Sequence, residues 1–434
     1  MKLAKLSLAA IVALGVSAFA DVENVKFSGN AKLFYGTNDA DHWSGVLAEH
    51  KNADGSLFDK SNSYGQAAAT VAVSADLADG VAGKLSATGL STLGLENNLV
   101  SDIWAGKEGG LDAQWWVDEA WLAKTFGNTT FKVGRQELDT PLAFSEKWNI
   151  AENTFDAAVL LNSDLPETTL VAAWVGRGNG APVGVVRGVE NGSDPFDTYG
   201  SAIINAYGLG YKAEGAYAFA AITKLIPMTT AQVWYYDVVN IAQAWWLQAD
   251  VDLKDVVDGL SFGVQYAYLD PTKDVDRAVS TVLQQNVKLD ESSAWAVKFG
   301  YSIDALKLSA AYSSTDEDGV VNVANTATGA STASQSKLYT EAWWNYGYVS
   351  APDVDSWTLT AEYSMEDIAD FGAYYTSVDA GDKSPVGDLD EFTLTASKSF
   401  GNLNTTLAYI YTDADDQNDG DSYNTIQVYL TYNF

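Results

Sequence analysis

Cysteine is absent from all 434 residues, which removes disulfides and thiolate chemistry of any kind. Histidine is almost absent. His42 and His50 both fall in the first expected loop, so a histidine-dependent hydrolase has very few places to stand. No glycine-rich phosphate loop or nucleophile elbow occurs where its context would support it, and the chain reads as non-enzymatic. Basic residues are scarce, 25 against 57 acidic. That balance argues against nucleic acid as a partner, because its phosphates would be repelled, and it suits an anionic surface or channel mouth. Prolines number eight. Beyond the first twenty residues there is no run of eighteen or more predominantly apolar residues, which argues against membrane-spanning helices.

What the chain does have begins with its leader. "MKLAKLSLAAIVALGVSAFA" carries Lys2 and Lys5, an apolar stretch, and a small-x-small ending at Ala18-Phe19-Ala20. This reads as a secretory signal peptide over 1–20, with the mature chain starting at Asp21. Removing the two leader lysines leaves 23 basic against the same 57 acidic residues, a net charge of about −34.

From there to the end, apolar residues recur at every second position. The last segment, "NTIQVYLTYNF", sets Ile426, Val428, Leu430, Tyr432 and Phe434 on one side of an extended chain. Gln427, Tyr429, Thr431 and Asn433 fall on the other. A period of two marks a strand with two different faces. The pattern predicts about 18 strands, over 25–36, 64–77, 81–93, 114–125, 129–137, 156–162, 168–176, 212–223, 229–238, 241–252, 260–269, 293–303, 306–315, 355–364, 369–378, 389–399, 403–412 and 423–434. Short connections such as Gly127-Asn128, Asp304-Ala305 and Gly401-Asn402 alternate with long acidic or Gly/Asn/Ser-rich ones.

One face is apolar and the other carries Ser, Thr, Gln and Lys, too polar for the dry core of a soluble sandwich. In lipid an open sheet edge would leave unpaired N–H and C=O groups, so the strands must close. The expected fold is therefore all-β: a single transmembrane antiparallel up-and-down β-barrel over 21–434, with short periplasmic turns and long extracellular loops. Outer-membrane lipid and lipopolysaccharide are its expected surroundings. Phe434 closes the last outward row, and a terminal aromatic in that position resembles the signal read by the barrel-assembly machinery.

Several segments resemble the Campylobacter-type major outer membrane porins of epsilon-proteobacteria: "MKLAKLSL", "AWLAKTFGNTTFKVGRQEL", "QVWYYDVVNIAQAWWLQADVDL" and the terminal "VYLTYNF". The resemblance implies an 18-stranded barrel, usually trimeric, that passes small hydrophilic solutes with a preference for cations. It also implies an inward-folded loop after the fifth strand. Here that loop is "GRQELDTPLAFSEKWNIAENTF" (134–155), and around 138–155 it offers Asp139, Glu146 and Glu152 with Lys147 between them. Clusters of such charge decide which ions enter a pore. Without the resemblance the same segment reads as a solvated outer loop.

Strand parity turns Lys26, Lys32, Lys132, Lys298 and Lys307 inward, together with Asp250 and Glu362. Bases on the wall facing acids on the loop would set up a transverse field. Arg135 falls on the outward parity, which puts it at the rim or beyond a bulge. The aromatic clusters Trp115-Trp116, Trp234-Tyr235-Tyr236, Trp245-Trp246 and Trp343-Trp344 suit an interfacial girdle for their outward members. No cofactor is expected. "DADDQNDGD" does not fit an EF-hand, and Asp413, Asp415, Asp416 and Asp419 offer at most weak calcium or magnesium binding. These readings converge on an outer-membrane porin for ions and small hydrophilic solutes, probed best by bilayer conductance. A substrate-specific channel of the same fold and a non-conducting adhesin or structural barrel are the alternatives.

Overall fold

The computed structural model describes residues 22–44, 49–51, 55–102, 114–147, 150–179, 196–206, 212–286, 288–330 and 334–434. The expected leader at 1–20 lies outside the described residues.

The alternating segments form eighteen barrel strands: β1 (Glu23–Asn38), β2 (Ser63–Leu77), β3 (Val81–Ser91), β4 (Gln114–Phe126), β5 (Thr129–Gln136), β6 (Phe155–Asn162), β7 (Thr168–Gly178), β8 (Ala216–Thr223), β9 (Thr229–Val238), β10 (Ala242–Asp252), β11 (Leu260–Pro271), β12 (Ser292–Ile303), β13 (Leu306–Thr315), β14 (Val354–Met365), β15 (Ala369–Ala380), β16 (Leu389–Phe400), β17 (Leu403–Ala414) and β18 (Tyr423–Asn433). Each pairs antiparallel with its sequence neighbours. The sheet closes where β1 meets β18, in register from Asn30↔Asn433 to Asn38↔Thr425. Closure leaves no barrel strand with an unpaired edge, as crossing a bilayer requires. Among the described residues no helix is long and apolar enough to cross a membrane.

The exterior follows the lipid. Leu247, Leu359, Leu394 and Leu407 are exposed mid-strand. Toward the long-loop end, Trp115, Trp174, Trp245, Trp295 and Trp357 form one exposed aromatic band. Toward the short-turn end, Phe126, Tyr301, Tyr363, Phe371, Phe400 and Tyr432 form another. Two aromatic girdles around an aliphatic waist are what a bilayer with two interfaces selects. The paired aromatics on strands split as a period of two demands: Trp115 is 53% exposed and Trp116 2%, Trp245 44% and Trp246 0%. Trp343 and Trp344 depart from the girdle reading, because they lie on the long loop after β13, away from any strand.

Connections at one end run from two to seven residues. Those at the other are mostly long: the first loop (39–62), the third (137–154), the fourth (179–215), the sixth (272–291, with helix Lys273–Leu283) and the seventh (316–353). The exception is the three-residue link 239–241 between β9 and β10.

The barrel is not uniformly hollow. One hydrophobic cluster joins the inner faces of β6 to β12, among them Trp234, Tyr236, Trp246 and Ala267, to Leu142 of the third loop, Tyr199 and Ile203 of the fourth, and Val323, Leu338 and Val349 of the seventh. The cluster is packed toward the long-loop end, where Val354, Val378, Leu389 and Ala414 of β14 to β17 also join it. The remaining space lies against β1 and the strands from β14 to β18.

Candidate solute channel

The third loop enters the barrel because β5 and β6 stop early, at eight residues each. The last pairing between β4 and β5 is Ala120↔Arg135, while β4 continues up to Gln114. The loop thus leaves the wall roughly 15–20 Å of strand below the top of β4. A tight turn, Thr140 Oγ1 to Ala143 O at 2.7 Å, folds it back on itself. Asn153 then braces it, accepting from Glu146 N at 2.7 Å and donating to Phe144 O at 3.2 Å.

The seventh loop locks onto the third. Asn325 donates to Phe144 O (2.9 Å) and to Glu146 Oε1 (3.0 Å), and accepts from Phe144 N (3.2 Å). Thr326 N donates to Leu142 O at 2.9 Å, and Thr326 shares a hydroxyl bond with Tyr199 of the fourth loop at 2.6 Å. Glu391 of β16 accepts from Trp344 N, Asn345 N and Asn345 Nδ2, which pins the far side of the seventh loop to the wall. Between these anchors the loop crosses the lumen. Tyr339 reaches the deepest point, with its hydroxyl on Asp250 (2.6 Å) and its ring under Lys298 Nζ (4.1 Å).

What stays open is a cavity of about 630 Å³ bounded by Lys32 and Phe34 of β1, Thr358 and Thr360 of β14, Tyr374 of β15, Lys147 of the third loop and Glu341 of the seventh. A second space of about 370 Å³ adjoins it at Lys147 and Gln335, with Glu137, Asp139 and Lys337 in its lining. Charges of opposite sign alternate along this passage. Lys32 Nζ lies 3.5 Å from Glu152, and Lys147 bridges Glu152 (3.8 Å) and Glu137 (2.7 Å). Lys337 meets Asp139 at 3.1 Å.

Burial pushes the Glu152 carboxyl above the usual range, against the pull of Lys32 and Lys147. Burial also pushes at Glu137, but the hydrogen bond and charge of Lys147 outweigh it and hold that group below the usual range. The hydrogen bond to Glu137 raises Lys147 in turn. Glu341 has no such cation. Enclosure, with Glu146 nearby, raises its carboxyl to about 7 despite the backbone N–H of Ser336.

The residues singled out from the sequence therefore divide. Lys32, Lys147 and Glu152 meet in one charge chain, and Asp139 pairs across to the seventh loop. Glu146 sits elsewhere: it is 1% exposed and bonded to Asn325, Thr328 and Gln335, enclosed between the two loops. Asp250 and Lys298 face inward and hold Tyr339. Lys132 lies over the Trp121 ring at 4.3 Å. Lys26, Lys307 and Glu362 are exposed toward the short-turn end, where Glu362 accepts from Tyr374 (3.1 Å) and is the cross-strand neighbour of Lys307.

Asp413, Asp416 and Asp419 have separate partners, Tyr411, Tyr348 and His42. Among the described residues no group of three or more His, Asp or Glu is arranged to hold a metal ion.

Several charged residues of the wall, Lys84, Glu119, Asp156 and Glu391 among them, are not singled out by the sequence reading, which puts Arg135 at the rim or beyond a bulge. Lys84 lies on the inward parity of β3, which was legible, and bonds to Glu119. Glu119 itself was hidden by the bulge at Asp118, where the β3–β4 register shifts. Arg135 turns inward, with its guanidinium stacked 3.4 Å from the Phe196 ring and bonded to Asp156 at 2.8 Å. Gly134 before it has φ +123°, and a Cβ there would meet Ala120 O at 2.2 Å. The pairing with both neighbouring strands stays in register here, so the unusual backbone of Gly134, without an inserted residue, accompanies the departure of Arg135 from the simple parity.

No protein-family model matches the sequence, and no curated protein matches it. Solved structures do. Pseudomonas aeruginosa OpdO is similar over 95% of this chain and 98% of its own, with TM-score 0.66 and 15% identity. The fold is that of an outer-membrane channel. OpdK of the same organism, solved with vanillate, is similar over 96% of this chain and 100% of its own (TM-score 0.66, 13% identity). OccK9 (OpdG) is similar over 95% and 98% (TM-score 0.68, 14% identity). The chain is thus a closed 18-strand barrel of the kind integral to the outer membrane.

Proposed function

We propose that this protein is an outer-membrane porin through which small hydrophilic solutes diffuse passively, past the third and seventh loops and along the wall of β1 and β14 to β18. The observation that carries the reading is the partly filled lumen: a packed hydrophobic cluster between the inward loops and the wall and, beside it, a polar passage lined by the chain Glu137–Lys147–Glu152–Lys32. Diffusion down a gradient needs no cofactor and no catalytic group. Carboxylates at the loops and the acidic balance of the whole chain favour cations at the mouth. Asp139, Lys147 and Glu152 are the proposed constriction residues, with Lys32 opposite them. Assembly as a homotrimer through the barrel-assembly machinery, in a leaflet of lipopolysaccharide, belongs to the same proposal.

Single-channel recording in a planar bilayer under a KCl gradient tests it. Steady conductance with a reversal potential of the sign for K⁺ supports the porin and its preference. Conductance of the opposite sign keeps the porin and gives selectivity to the wall lysines. Folded, inserted protein that passes no current overturns the reading in favour of a plugged structural barrel.

A second reading, a substrate-specific channel, is favoured by the likeness to OpdK, which was solved with an organic solute. Current block that saturates with one solute class distinguishes it from general diffusion.

A further inference from the structure

We propose that the 630 Å³ channel cavity is a binding site for a neutral pyranose sugar, which stacks on Trp343 and hydrogen-bonds to wall threonines; this rests on the channel reading above.

The size suits a small-molecule site rather than a bare ion path. Its lining alternates two chemistries. Trp343 and Tyr346 come from the seventh loop, while Tyr374 and Tyr429 come from the wall. Beside them stand Thr358 and Thr360 of β14, Thr406 of β17 and Thr431 of β18. A pyranose has the matching form: C–H groups on its ring faces and hydroxyls around its edge. The negative face of an aromatic ring attracts those C–H groups, and hydroxyl side chains serve as donor or acceptor.

The open hydrogen-bonding positions fit a solute with both roles. The side chains of Thr360, Thr431 and Trp343 make no hydrogen bond to any described residue. One carboxylate oxygen of Glu341 is enclosed and has no partner among the described residues. A site with hydroxyl partners waiting discriminates strongly for solutes that carry hydroxyls.

The charges argue for a neutral ligand. Lys32 and Lys147 already lie within 4 Å of Glu152 and Glu137, so an anion would have to displace a carboxylate to reach them. The carboxylates are likewise held by the lysines, so a cationic solute finds no unpaired counter-charge in this charge chain either. Glu341, shifted to about 7, offers no firm charge at neutral pH.

The test uses the full-length protein in planar bilayers, with maltose as the probe and choline chloride and sodium benzoate as charged comparators. The expected result is a K⁺ current that falls saturably with maltose. Trp343→Ala should weaken that block by roughly tenfold, the loss of one ring contact, and Trp343→Phe should retain most of it. Calorimetric titration of the detergent-solubilised barrel with maltose reads the site without conduction. A conducting channel that benzoate or choline blocks and maltose does not would overturn the sugar site while leaving the porin standing. A protein that does not conduct but gives saturable heat with maltose would overturn the porin and support the site. Absence of both block and heat overturns the sugar site.

Discussion

The hydroxyl of Tyr339 occupies the space that Gly263 leaves vacant. A Cβ at Gly263 would lie 2.5 Å from that oxygen and 2.7 Å from the ring carbon bearing it. The same hydroxyl donates to Asp250, two residues from the inner end of β10. The seventh loop is therefore seated at a depth set by a missing side chain. Gly263→Val should push the ring off the wall and raise single-channel conductance. Tyr339→Phe, which keeps the ring and loses one bond to a charged acceptor, should weaken the seat by about 1.5–3 kcal/mol and leave conductance closer to the parent. Equal conductance in Gly263→Val and the parent would show that the loop tip does not limit flow.

Asn325 joins the two inward loops. Asn325→Ala removes its bonds to Phe144 O and Glu146 Oε1 and leaves Phe144 N without its acceptor. The expected cost is about 2–4 kcal/mol for groups left enclosed without partners. The readouts are faster proteolysis of the seventh loop and frequent current steps in a bilayer. Parent-like protease resistance would argue that the apolar contacts of Leu142 and Val323 hold the loops without it.

The carboxyls of the charge chain titrate in a fixed order. Glu152 is raised and Glu137 lowered, so acidification protonates Glu152 first. Losing that charge leaves Lys32 without its partner and Lys147 with Glu137 alone, and the K⁺/Cl⁻ permeability ratio should fall at a pH above the ordinary carboxylate range. Glu152→Gln should abolish that step. The stability sign runs the other way. A raised acid binds its proton more tightly folded than unfolded, so its contribution is full below the unfolded value and lost as pH rises through the folded one. A permeability ratio that is flat from about pH 8 to about pH 4 would remove Glu152 from the selectivity account.

Gly29 and Phe434 close the barrel. They exchange two backbone bonds, 2.9 and 3.0 Å, and the Phe434 ring lies 2.6 Å from where a Gly29 Cβ would stand. Deleting Phe434 should lower the folded, heat-modifiable fraction recovered from membranes. Gly29→Leu should do so as well by displacing the ring. Full recovery of both variants would mean that the seam from Asn30 to Asn38 suffices.

The strands were legible because lipid imposes a simple rule on every second residue, and Leu247, Leu359 and Leu407 obey it. Lys32, Asp250 and Lys298 could be placed inside by the same count. Arg135 could not, because its side chain departs from the parity next to the positive φ of Gly134 while the strand register stays unshifted. Glu146 carried the right charge in the right loop, yet its surroundings come from Asn325, 179 positions away. The descent of the seventh loop was illegible for the same reason. Its seat is a glycine on β11 and its anchor a glutamate on β16, and neither leaves a local mark in 316–353. Trp343 and Trp344 looked like girdle residues because pairing alone does not tell a strand from a loop.

The bonds that narrow the passage join positions 144 and 325, 181 residues apart and on opposite sides of several strand pairings. Contacts this distant in sequence cost more chain entropy to close than the local pairing of neighbouring strands, so they are expected to follow it. A newly paired barrel is therefore expected to pass through a stage as a wider, unplugged tube, in which the membrane's barrier depends on how soon the seventh loop falls into place. Gly263→Val, which denies the Tyr339 ring its seat, should make cells more permeable to large hydrophilic antibiotics even where the amount of folded protein is unchanged.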